Sequence, residues 1–447
     1  MKYGLGLGLS LAAALSLHGA DSLDTWFKEG KVSGNVKYYY IDTAKETGAT
    51  ETSAHANSLG GKLGYVSGSL YGLKLGATFM TTNPFAVPND PSNVDTSIIG
   101  KDNGVRTGNS AEGDDGFSVL GEAYALYSRD SYELWYGRKV INTPLMDAKE
   151  VRMLPSSFEG AMASVKADDS WTVSVGYIDK FKQRTSDRFV DVIEHALGSN
   201  TATITGSDGG VVLPVSAQYK NGALKAQVYD YYAKDFMNSV YADASFENKL
   251  GNGVSYTASV QGIMQDSIGN ADSAAAQAVM GGEINAQAIG AKLSATMDQT
   301  TLMAAMTHVF SNGGDHDSLV LPWDGTPLFT NMITSNDLFI SNYGKGLESD
   351  TAYIGGTTGI KVGISQKFDI AGIKGFSAEA SYAHFANSRF PSDQDDINGV
   401  LGYGAGNFSL ALKGMWVNDN TSANSNNTLK TQNDKLTQYR VIANYKF

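Results

Sequence analysis

The sequence predicts an all-β fold in which 18 antiparallel strands close into a transmembrane β-barrel of the outer-membrane type. Three observations lead to this prediction. Apolar and polar residues alternate along most of the chain, short turns alternate with long polar loops, and the last strand ends on an aromatic residue, Phe447. Alternation with a period of two gives a strand two different faces, and in a membrane barrel these faces contact lipid and water.

The composition is polar on average but rich in aromatic residues. The 447 residues include 50 Gly, 23 Tyr, 18 Phe and only 9 Pro, and the mean hydropathy is −0.21. After residue 20, no apolar run approaches the roughly 20 residues that a membrane-spanning helix needs. A closed barrel is the other structure that satisfies its backbone in lipid. The chain has no Cys, which excludes disulfides, thiolate metal sites and cysteine nucleophiles.

The N-terminus has the pattern of a secretory signal peptide over residues 1–20. A largely apolar run of 13 residues lies before Ala20, and it is too short to span a bilayer as a helix. We therefore expect cleavage after Ala20. Residues 21–30 then form an N-terminal periplasmic segment, with a short helix capped by Ser22, and residues 31–447 form the barrel.

Individual strands are marked by clear alternation. From Trp171 to Phe181 the odd positions are mostly apolar and the even positions mostly polar, and similar stretches run from Val254 to Met264 and from Phe408 to Trp416. The stretch INAQAIGAKLSATM is best interpreted as one long strand, because splitting it would give an odd strand number and place the termini on opposite sides.

Connection lengths orient the predicted barrel. Eight short turns alternate with nine long loops, which gives 18 strands. Single-chain bacterial barrels have short periplasmic turns and longer extracellular loops. The short turns are Ser67–Gly72, Ser128–Ser131, Ala167–Ser170, Asn221–Gly222, Leu250–Gly253, Asp298–Thr301, Ile370–Gly375 and Gly404–Asn407. A secreted soluble β-sandwich or solenoid is the alternative, but neither needs this regular alternation or a terminal aromatic residue.

A barrel of this size has a water-filled interior unless something fills it. The first strand begins by Lys31, so no separate plug domain precedes it, and a loop folded inward would have to set the constriction and the selectivity.

Several stretches resemble the OprD-like outer-membrane porins, which are substrate-selective channels. They are LGEAYALYS (residues 120–128), WYGRKVINTPLMDAKEVRMLPSSFEG (135–160), YIDKFKQRTSDRF (177–189), FKEGKVSGNVKYYYID (27–42) and the C-terminal strand. The resemblance implies an 18-stranded pore, often trimeric, that passes small hydrophilic solutes such as amino acids, peptides or small carboxylates. It also implies basic residues along one lumen wall and a narrowing third extracellular loop.

The constriction is expected in a loop at about residues 141–158, inside the most specific stretch of the resemblance. The candidate constriction residues are Arg138, Asp147, Glu150, Arg152 and Glu159. The face of Arg138 is ambiguous, because Leu134 and Tyr136 share it. Arg184 and Arg188 are further, more exposed candidates.

Alternation also assigns a basic wall to the lumen, independently of the resemblance. The inward residues are Lys37, Lys62, Lys225, Lys361, Lys367, Lys413 and Arg440, and Asn444 and Lys446 share the face of Arg440. Because the whole chain carries a net charge of −12, we expect the carboxylates to concentrate in the outer loops, as around Asp114 and Asp315. Cationic walls would guide anionic solutes, whereas an acidic vestibule would instead concentrate cationic ones.

Other functions are weaker alternatives. A hydrophobic-solute transporter would need an N-terminal hatch and an apolar lumen, and a surface adhesin would use the barrel as an anchor. An enzyme is not expected, since no Ser, His and acid group shows a known catalytic spacing. No cofactor is expected, and the sequence DHD at residues 315–317 is a poor metal site. Expected partners are solutes and ions, outer-membrane lipid and lipopolysaccharide, the barrel-assembly machinery through the Phe447 strand, and a possible homotrimer.

Overall fold

The computed structural model of the protein describes residues 22–85, 116–251, 253–312, 317–333, 354–388, 393–419 and 434–447. The strands of these residues are β1 (Lys31–Thr47), β2 (Thr50–Val66), β3 (Leu73–Pro84), β4 (Phe117–Arg129), β5 (Tyr132–Lys139), β6 (Ser157–Lys166), β7 (Trp171–Lys182), β8 (Val190–Asp191), β9 (Val212–Asn221), β10 (Leu224–Ala233), β11 (Met237–Lys249), β12 (Ser255–Ser267), β13 (Asn285–Met297), β14 (Thr300–Val309), β15 (Thr357–Ile370), β16 (Ile373–Asn387), β17 (Asp393–Ala405), β18 (Phe408–Asp419) and β19 (Asp434–Lys446).

The sheet is antiparallel and closed, because β1 pairs with β2 on one side and with β19 on the other. Strand β8 has only two residues and pairs with β7 alone, just beyond the last residue of β7 that pairs with β9. Without β8, the described residues form 18 barrel strands. The predicted fold class and strand number are therefore confirmed, and closure gives the backbone groups of both terminal strands a partner, as a lipid environment requires.

The C-terminal residue takes part in this closure. The backbone N–H of Phe447 donates to the Gly34 carbonyl at 3.0 Å, and the Gly34 N–H donates back to the Phe447 carbonyl at 3.0 Å. The Phe447 side chain is half exposed on the outside. The terminal aromatic residue thus lies at the end of the pairing between β1 and β19. This is the rim of the barrel, where membrane barrels carry aromatic girdles.

Short helices lie outside the strand ladder. They are α1 (Leu23–Lys28), α2 (Val192–Leu197), α3 (Thr201–Thr205) and α4 (Ala274–Met280). Among the described residues, no helix is both long enough and apolar enough to cross a membrane.

Helix α1 is held against the first short turn. Ser22 caps it, as the sequence predicts, through a capping box with Thr25. Trp26 Nε1 donates to the Gly68 carbonyl at 2.8 Å, and Tyr65 Oη donates to the Phe27 carbonyl at 2.6 Å. The described part of the N-terminal segment therefore packs at the end of the barrel that carries the short turns. The predicted signal peptide lies outside the described residues.

The eight predicted short turns all join strands at one end of the barrel. Nine connections lie at the other end, but three of them are also short, at residues 48–49, 234–236 and 388–392. The strict alternation of short and long connections was therefore wrong in detail. Strands β1 and β2 are each 17 residues long, so their hairpin continues as strand where a long loop was expected. Strand β13 crosses Gly290 without a break, as predicted.

The outer face of the barrel is apolar and exposed. Val173, Val175 and Tyr177 on β7 have 44%, 54% and 49% of their surface exposed, and Ile360, Val362 and Ile364 on β15 have 52%, 48% and 48% exposed. Such side chains are expected outside only where hydrocarbon covers them. The alternation in the sequence therefore identified the two faces of these strands correctly.

Candidate functional site

The constriction loop, residues 140–156, crosses the inside of the barrel. Near one end, the Leu145 N–H donates to Tyr231 Oη on β10 at 3.2 Å. Near the other end, Tyr39 Oη and Lys37 Nζ on β1 donate to the carbonyls of Val151 at 2.8 Å and Met153 at 3.0 Å. Strand β10 lies eight barrel strands from β1 in one direction and ten in the other. The loop is thus bound to nearly opposite walls. It begins after β5 and ends at β6, so Ser157 and Phe158 of the expected range belong to a strand.

A second inward piece of chain, the roof segment at residues 317–333, pairs with the constriction loop. Met146 and Asp324 form an antiparallel bridge. The Asp147 N–H donates to the Trp323 carbonyl at 3.2 Å, and the Gly325 N–H donates to the Leu145 carbonyl at 3.2 Å. These backbone hydrogen bonds join the constriction loop and the roof segment into one continuous structure inside the lumen.

Asp324 fixes three loops to one another through its carboxylate. Ser156 Oγ of the constriction loop donates to it at 2.5 Å, Lys149 Nζ lies 3.7 Å away, and Arg184 of the loop after β7 forms an ion pair with it. Burial alone would raise the pKa of Asp324, but the positive charges of Arg184 and Lys149 hold that pKa below its usual range. The carboxylate therefore stays charged, and a buried charge of this kind depends on its partners.

Apolar side chains pack the constriction loop against the strands on one side. Met153 and Leu154 contact a cluster with Tyr39, Ile41 and Met80. A larger cluster joins the loop to β5–β7 and to the roof segment through Ile141, Leu145, Met146, Trp135, Phe158, Phe181 and Trp323. Close packing excludes water from this part of the interior.

Beside the constriction loop, a cavity of about 1230 Å³ remains open. Its walls include inward side chains of β10–β17, the constriction loop at Asn142–Pro144 and Asp147, and the roof segment at Thr326–Phe329 and Ile333. Its charged lining residues are Lys225, Lys292, Lys361, Lys367, Asp147, Asp243, Glu247, Asp298 and Glu379. The expectation that carboxylates concentrate in the outer loops was therefore wrong for this side of the lumen, where inward strand positions carry both signs.

The roof segment is anchored over this cavity by polar side chains from three strands. Lys361 Nζ donates to the Asn331 carbonyl at 2.5 Å, Gln261 Oε1 accepts from the Phe329 N–H at 2.9 Å, and Asn398 Oδ1 accepts from the Ile333 N–H at 2.8 Å. Lys361 points inward, as alternation predicts, but only 1% of its surface is exposed. Its ammonium group therefore holds the loop backbone and does not face open water.

The other basic residues form a cluster where the barrel closes. This closure cluster consists of Lys37, Lys62, Lys413, Arg440 and Lys446, on the adjacent strands β18, β19, β1 and β2. Lys413 lies opposite Arg440, while Lys62 and Lys446 both lie opposite Asn35. Their outward neighbours Val36, Leu63, Leu412, Tyr439 and Tyr445 are exposed, so these five side chains belong to the inner face, as predicted. Lys37 and Arg440 are buried there, with 9% and 2% of their surface exposed, whereas Lys62, Lys413 and Lys446 are more exposed.

Two residues expected at the constriction do lie beside solvent-filled space on the constriction loop. Asp147 lines the cavity, and burial raises its pKa to about 6, against hydrogen bonds from the Lys149 and Ala148 N–H groups. Glu150 reaches the closure cluster, where its Oε1 lies 2.5 Å from Lys62 Nζ. Burial raises the pKa of Glu150, but the charges of Lys62 and Lys37 outweigh this effect and keep the pKa below its usual range.

Arg152 is also on the constriction loop, between these two walls. Its carbonyl accepts a hydrogen bond from Lys37 Nζ at 3.3 Å, and its guanidinium donates to the Val151 carbonyl at 3.2 Å. The structure thus brings Asp147, Glu150 and Arg152 together on one inward loop.

Arg138 and Glu159 lie on β5 and β6, at the two ends of the constriction loop. Arg138 lies opposite Ala123 and Glu159 and two positions from outward Tyr136, so alternation along β5 assigns it to the outer face. Its guanidinium carbon also lies 4.4 Å from the centre of the Phe189 ring, and Phe189 packs against the cluster that contains Met153 and Leu154 of the constriction loop. Arg138 Nε lies 2.5 Å from Glu159, and Lys180 Nζ of β7 lies 2.9 Å from the same carboxylate. The constriction role expected for both residues stays a prediction.

Sequence reasoning missed several residues of the interior. Arg184, expected to be exposed, has only 12% of its side chain exposed against Asp324, whereas Arg188 is 66% exposed. Lys292 lies 4.5 Å from the Phe329 ring centre in the cavity. Its alternation with Ile289 and Leu293 could have identified it. Asp324 carries no local signal, because its partners are far away in sequence.

The described residues contain no group of three or more His, Asp or Glu side chains that could hold a metal ion. Within the sequence DHD, Asp315 and His316 lie outside the described residues, as does Asp114. Asp317 accepts a hydrogen bond from the Asn312 N–H at 3.0 Å.

A closed 18-strand barrel with an inward loop and a polar cavity defines an outer-membrane channel. The chain belongs to the OprD family: the model described as "outer membrane porin, OprD family" matches residues 25–345. The protein is thus a porin of the bacterial outer membrane, and it allows small hydrophilic solutes to diffuse through its lumen. The family and the fold are those of channels and not of enzymes. The predicted family, function class and location are confirmed.

Solved structures show the same fold. Pseudomonas aeruginosa OccK9 (OpdG) is 19% identical with a TM-score of 0.71, OpdK with vanillate is 16% identical with a TM-score of 0.70, and OccK2 (OpdF) with glucuronate is 15% identical with a TM-score of 0.67. The last two are also from P. aeruginosa, and each of the three comparisons covers 94% of this chain and 99% of the other. No curated protein gives a significant sequence match to the chain.

Proposed function

We propose that this porin favours small solutes that carry a carboxylate group, and that Asp147, Glu150 and Arg152 form its constriction. The observation that carries the proposal is the closure cluster, which places five basic side chains on the inner face of four adjacent strands. Lys62, Lys413 and Lys446 are the members that keep part of their surface exposed. Beside it, Met153 and Leu154 of the constriction loop pack against Tyr39, Ile41 and Met80 and narrow the cross-section. Solutes that pass the loop therefore pass close to the cationic wall.

The physical reason is electrostatic focusing. A row of like charges in a narrow tube with low-dielectric walls raises the local concentration of the opposite charge. A carboxylate that loses water at the constriction also regains charge-assisted hydrogen bonds from ammonium and guanidinium groups. The structures of OpdK with vanillate and OccK2 with glucuronate support a carboxylate as the solute class by analogy.

The cavity carboxylates favour a second candidate, solutes that also carry an ammonium group. Asp243, Glu247, Asp298 and Glu379 line the same space as Lys225 and Lys367. An amino acid or a short peptide would find both charges complemented there, whereas a simple carboxylate would use only the closure cluster.

Purified protein in a planar bilayer tests the proposal. Discrete ohmic steps, a preference for chloride over potassium in a salt gradient, and concentration-dependent block by benzoate are expected. Replacing Lys62, Lys413 and Lys446 by Gln should reduce both the chloride preference and the block. Strong cation selectivity of the native protein would contradict the carboxylate proposal, and block by arginine but not by benzoate would favour the second candidate.

We also propose the processing and partners that the sequence suggests. Residues 1–20 are removed as a signal peptide, the β19 strand ending at Phe447 is the segment that the assembly machinery binds, and lipopolysaccharide covers the outer face. A homotrimer and the absence of catalysis are proposed by resemblance to the family. Mass spectrometry of the mature protein and light scattering in detergent test the first cleavage and the subunit number.

A further inference from the structure

Glu150 reaches from the constriction loop into the closure cluster. Its Oε1 lies 2.5 Å from Lys62 Nζ on β2, and its carboxylate also interacts electrostatically with Lys37 on β1 and Lys446 on β19. Three lysines from three adjacent strands thus share one carboxylate of the protein. This is the place at which the wall would otherwise receive the carboxylate of a solute.

The pair is open to the water of the lumen. The side chain of Glu150 is 46% exposed and that of Lys62 is 30% exposed. An ion pair at such exposure contributes little to stability, so it can be exchanged for another pair of similar strength. A solute carboxylate is a chemically equivalent partner for Lys62.

Glu150 is not needed to attach the loop to this wall. Tyr39 Oη and Lys37 Nζ already bind the loop carbonyls of Val151, Arg152 and Met153. Met153 and Leu154 add buried apolar contacts at the same point. The loop therefore has its own anchors, and the Glu150 side chain is left to interact with the lysines alone.

We propose that Glu150 is a specificity-determining residue: it is a resident carboxylate that occupies Lys62, and a passing solute carboxylate must displace it. The inference rests on the proposed function, because it concerns how the same basic wall receives its solute. Glu150 lowers the affinity of the wall for any single carboxylate and prevents strong anions from being retained. Fast exchange keeps a selective channel conducting, since binding must be weak enough to allow release.

The test is the substitution Glu150→Gln, measured as chloride-to-potassium permeability ratio and as benzoate block in planar bilayers. Freeing Lys62 should raise the ratio and should tighten benzoate block by about two- to fivefold, the range that an exposed ion pair can account for. The matched control is Glu46→Gln, which removes a carboxylate from a Lys–Glu pair of similar exposure, Glu46 with Lys435 at 3.0 Å, on the outer face. It should leave both measurements unchanged.

A Lys62→Gln background separates displacement from a general charge effect. If Glu150 acts by occupying Lys62, then Glu150→Gln should change benzoate block much less in that background than in the native protein. Heat-modifiable migration on gels confirms for each variant that the barrel has folded.

Two results would overturn the inference while leaving the proposed function intact. The first is native benzoate block that Glu150→Gln does not alter. The second is a rise in conductance for both ions with an unchanged permeability ratio, which would mean that Glu150 merely holds the loop in place. If the native channel shows no carboxylate block at all, the proposed function fails and this inference fails with it.

Discussion

Arg184 and Asp324 form an ion pair inside the barrel, although 140 residues separate them in the sequence. Asp324 is almost completely buried, and Lys149 of the constriction loop lies 3.7 Å from the same carboxylate. The pair therefore connects the loop after β7, the constriction loop and the roof segment. We expect the width of the channel to depend on this connection, because Arg184, Lys149 and Asp324 all lie outside the barrel strands.

Replacing Asp324 by Asn should release the loops without unfolding the barrel. The substitution leaves two buried cations without their shared anion, a change that typically costs about 3–5 kcal/mol. The strand ladder keeps its own hydrogen bonds, so heat-modifiable migration should persist. We expect higher and noisier single-channel conductance and faster proteolytic cleavage within residues 140–156. Asp235→Asn, at a turn, serves as the control, and a native conductance trace for Asp324→Asn would contradict the assignment.

A pH-dependent selectivity is expected from Asp147. Its pKa of about 6 means that the side chain is charged at neutral pH and becomes neutral as the pH falls. Removing this negative charge from the cavity should raise the chloride-to-potassium permeability ratio between about pH 7 and about pH 5. The Asp147→Asn variant should show the high ratio at both pH values. A native ratio that is flat across this range would count against the half-buried position of Asp147 beside the cavity.

The same residue affects stability in a defined direction. Burial raises the folded-state pKa above the ordinary value of 3.8, so the charged form is the one that the fold disfavours. Protonation of Asp147 should therefore stabilise the folded loop as the pH falls from about 6 towards about 4. Loop proteolysis should slow over that range in the native protein, and it should slow less in Asp147→Asn.

The faces of the strands could be predicted from the sequence, whereas the contacts between loops could not. Lipid and water impose opposite chemistry on neighbouring residues, so Ile360, Lys361 and Val362 identify their faces by themselves. Asp324 and Arg184 meet only because two loops fold inward, and nothing adjacent to either residue in the sequence indicates the other. Arg138 shows a different difficulty: alternation places it with Tyr136, whereas the family resemblance and its contact with the Phe189 ring favour the constriction.

Lys361 and Lys367 should differ in effect, although both lie on the inner face of β15. Lys361→Met removes the ammonium group that binds the Asn331 carbonyl and leaves that carbonyl without its donor, which typically costs about 1–3 kcal/mol. The roof segment should loosen, and the conductance should rise. Lys367 is exposed to the cavity, so Lys367→Met should lower only the chloride preference. Equal effects of the two variants on conductance would show that Lys361 does not anchor the roof.

Single cysteines can decide which way Arg138 faces, because the natural chain has none. Alternation along β5 and the register with Ala123 and Glu159 predict that a nitroxide label at Arg138→Cys lies on the outer surface. In lipid vesicles, its relaxation should respond to lipid-soluble oxygen more than to a water-soluble nickel complex. A label at Lys62→Cys on the inner face should show the opposite order. Lys180 also donates a hydrogen bond to Glu159, so a label at Lys180→Cys should behave like the label at Arg138→Cys. If the label at Arg138 instead responds mainly to the nickel complex and reduces conductance, its side chain lies in the lumen, and the constriction must include Arg138 and Glu159 after all.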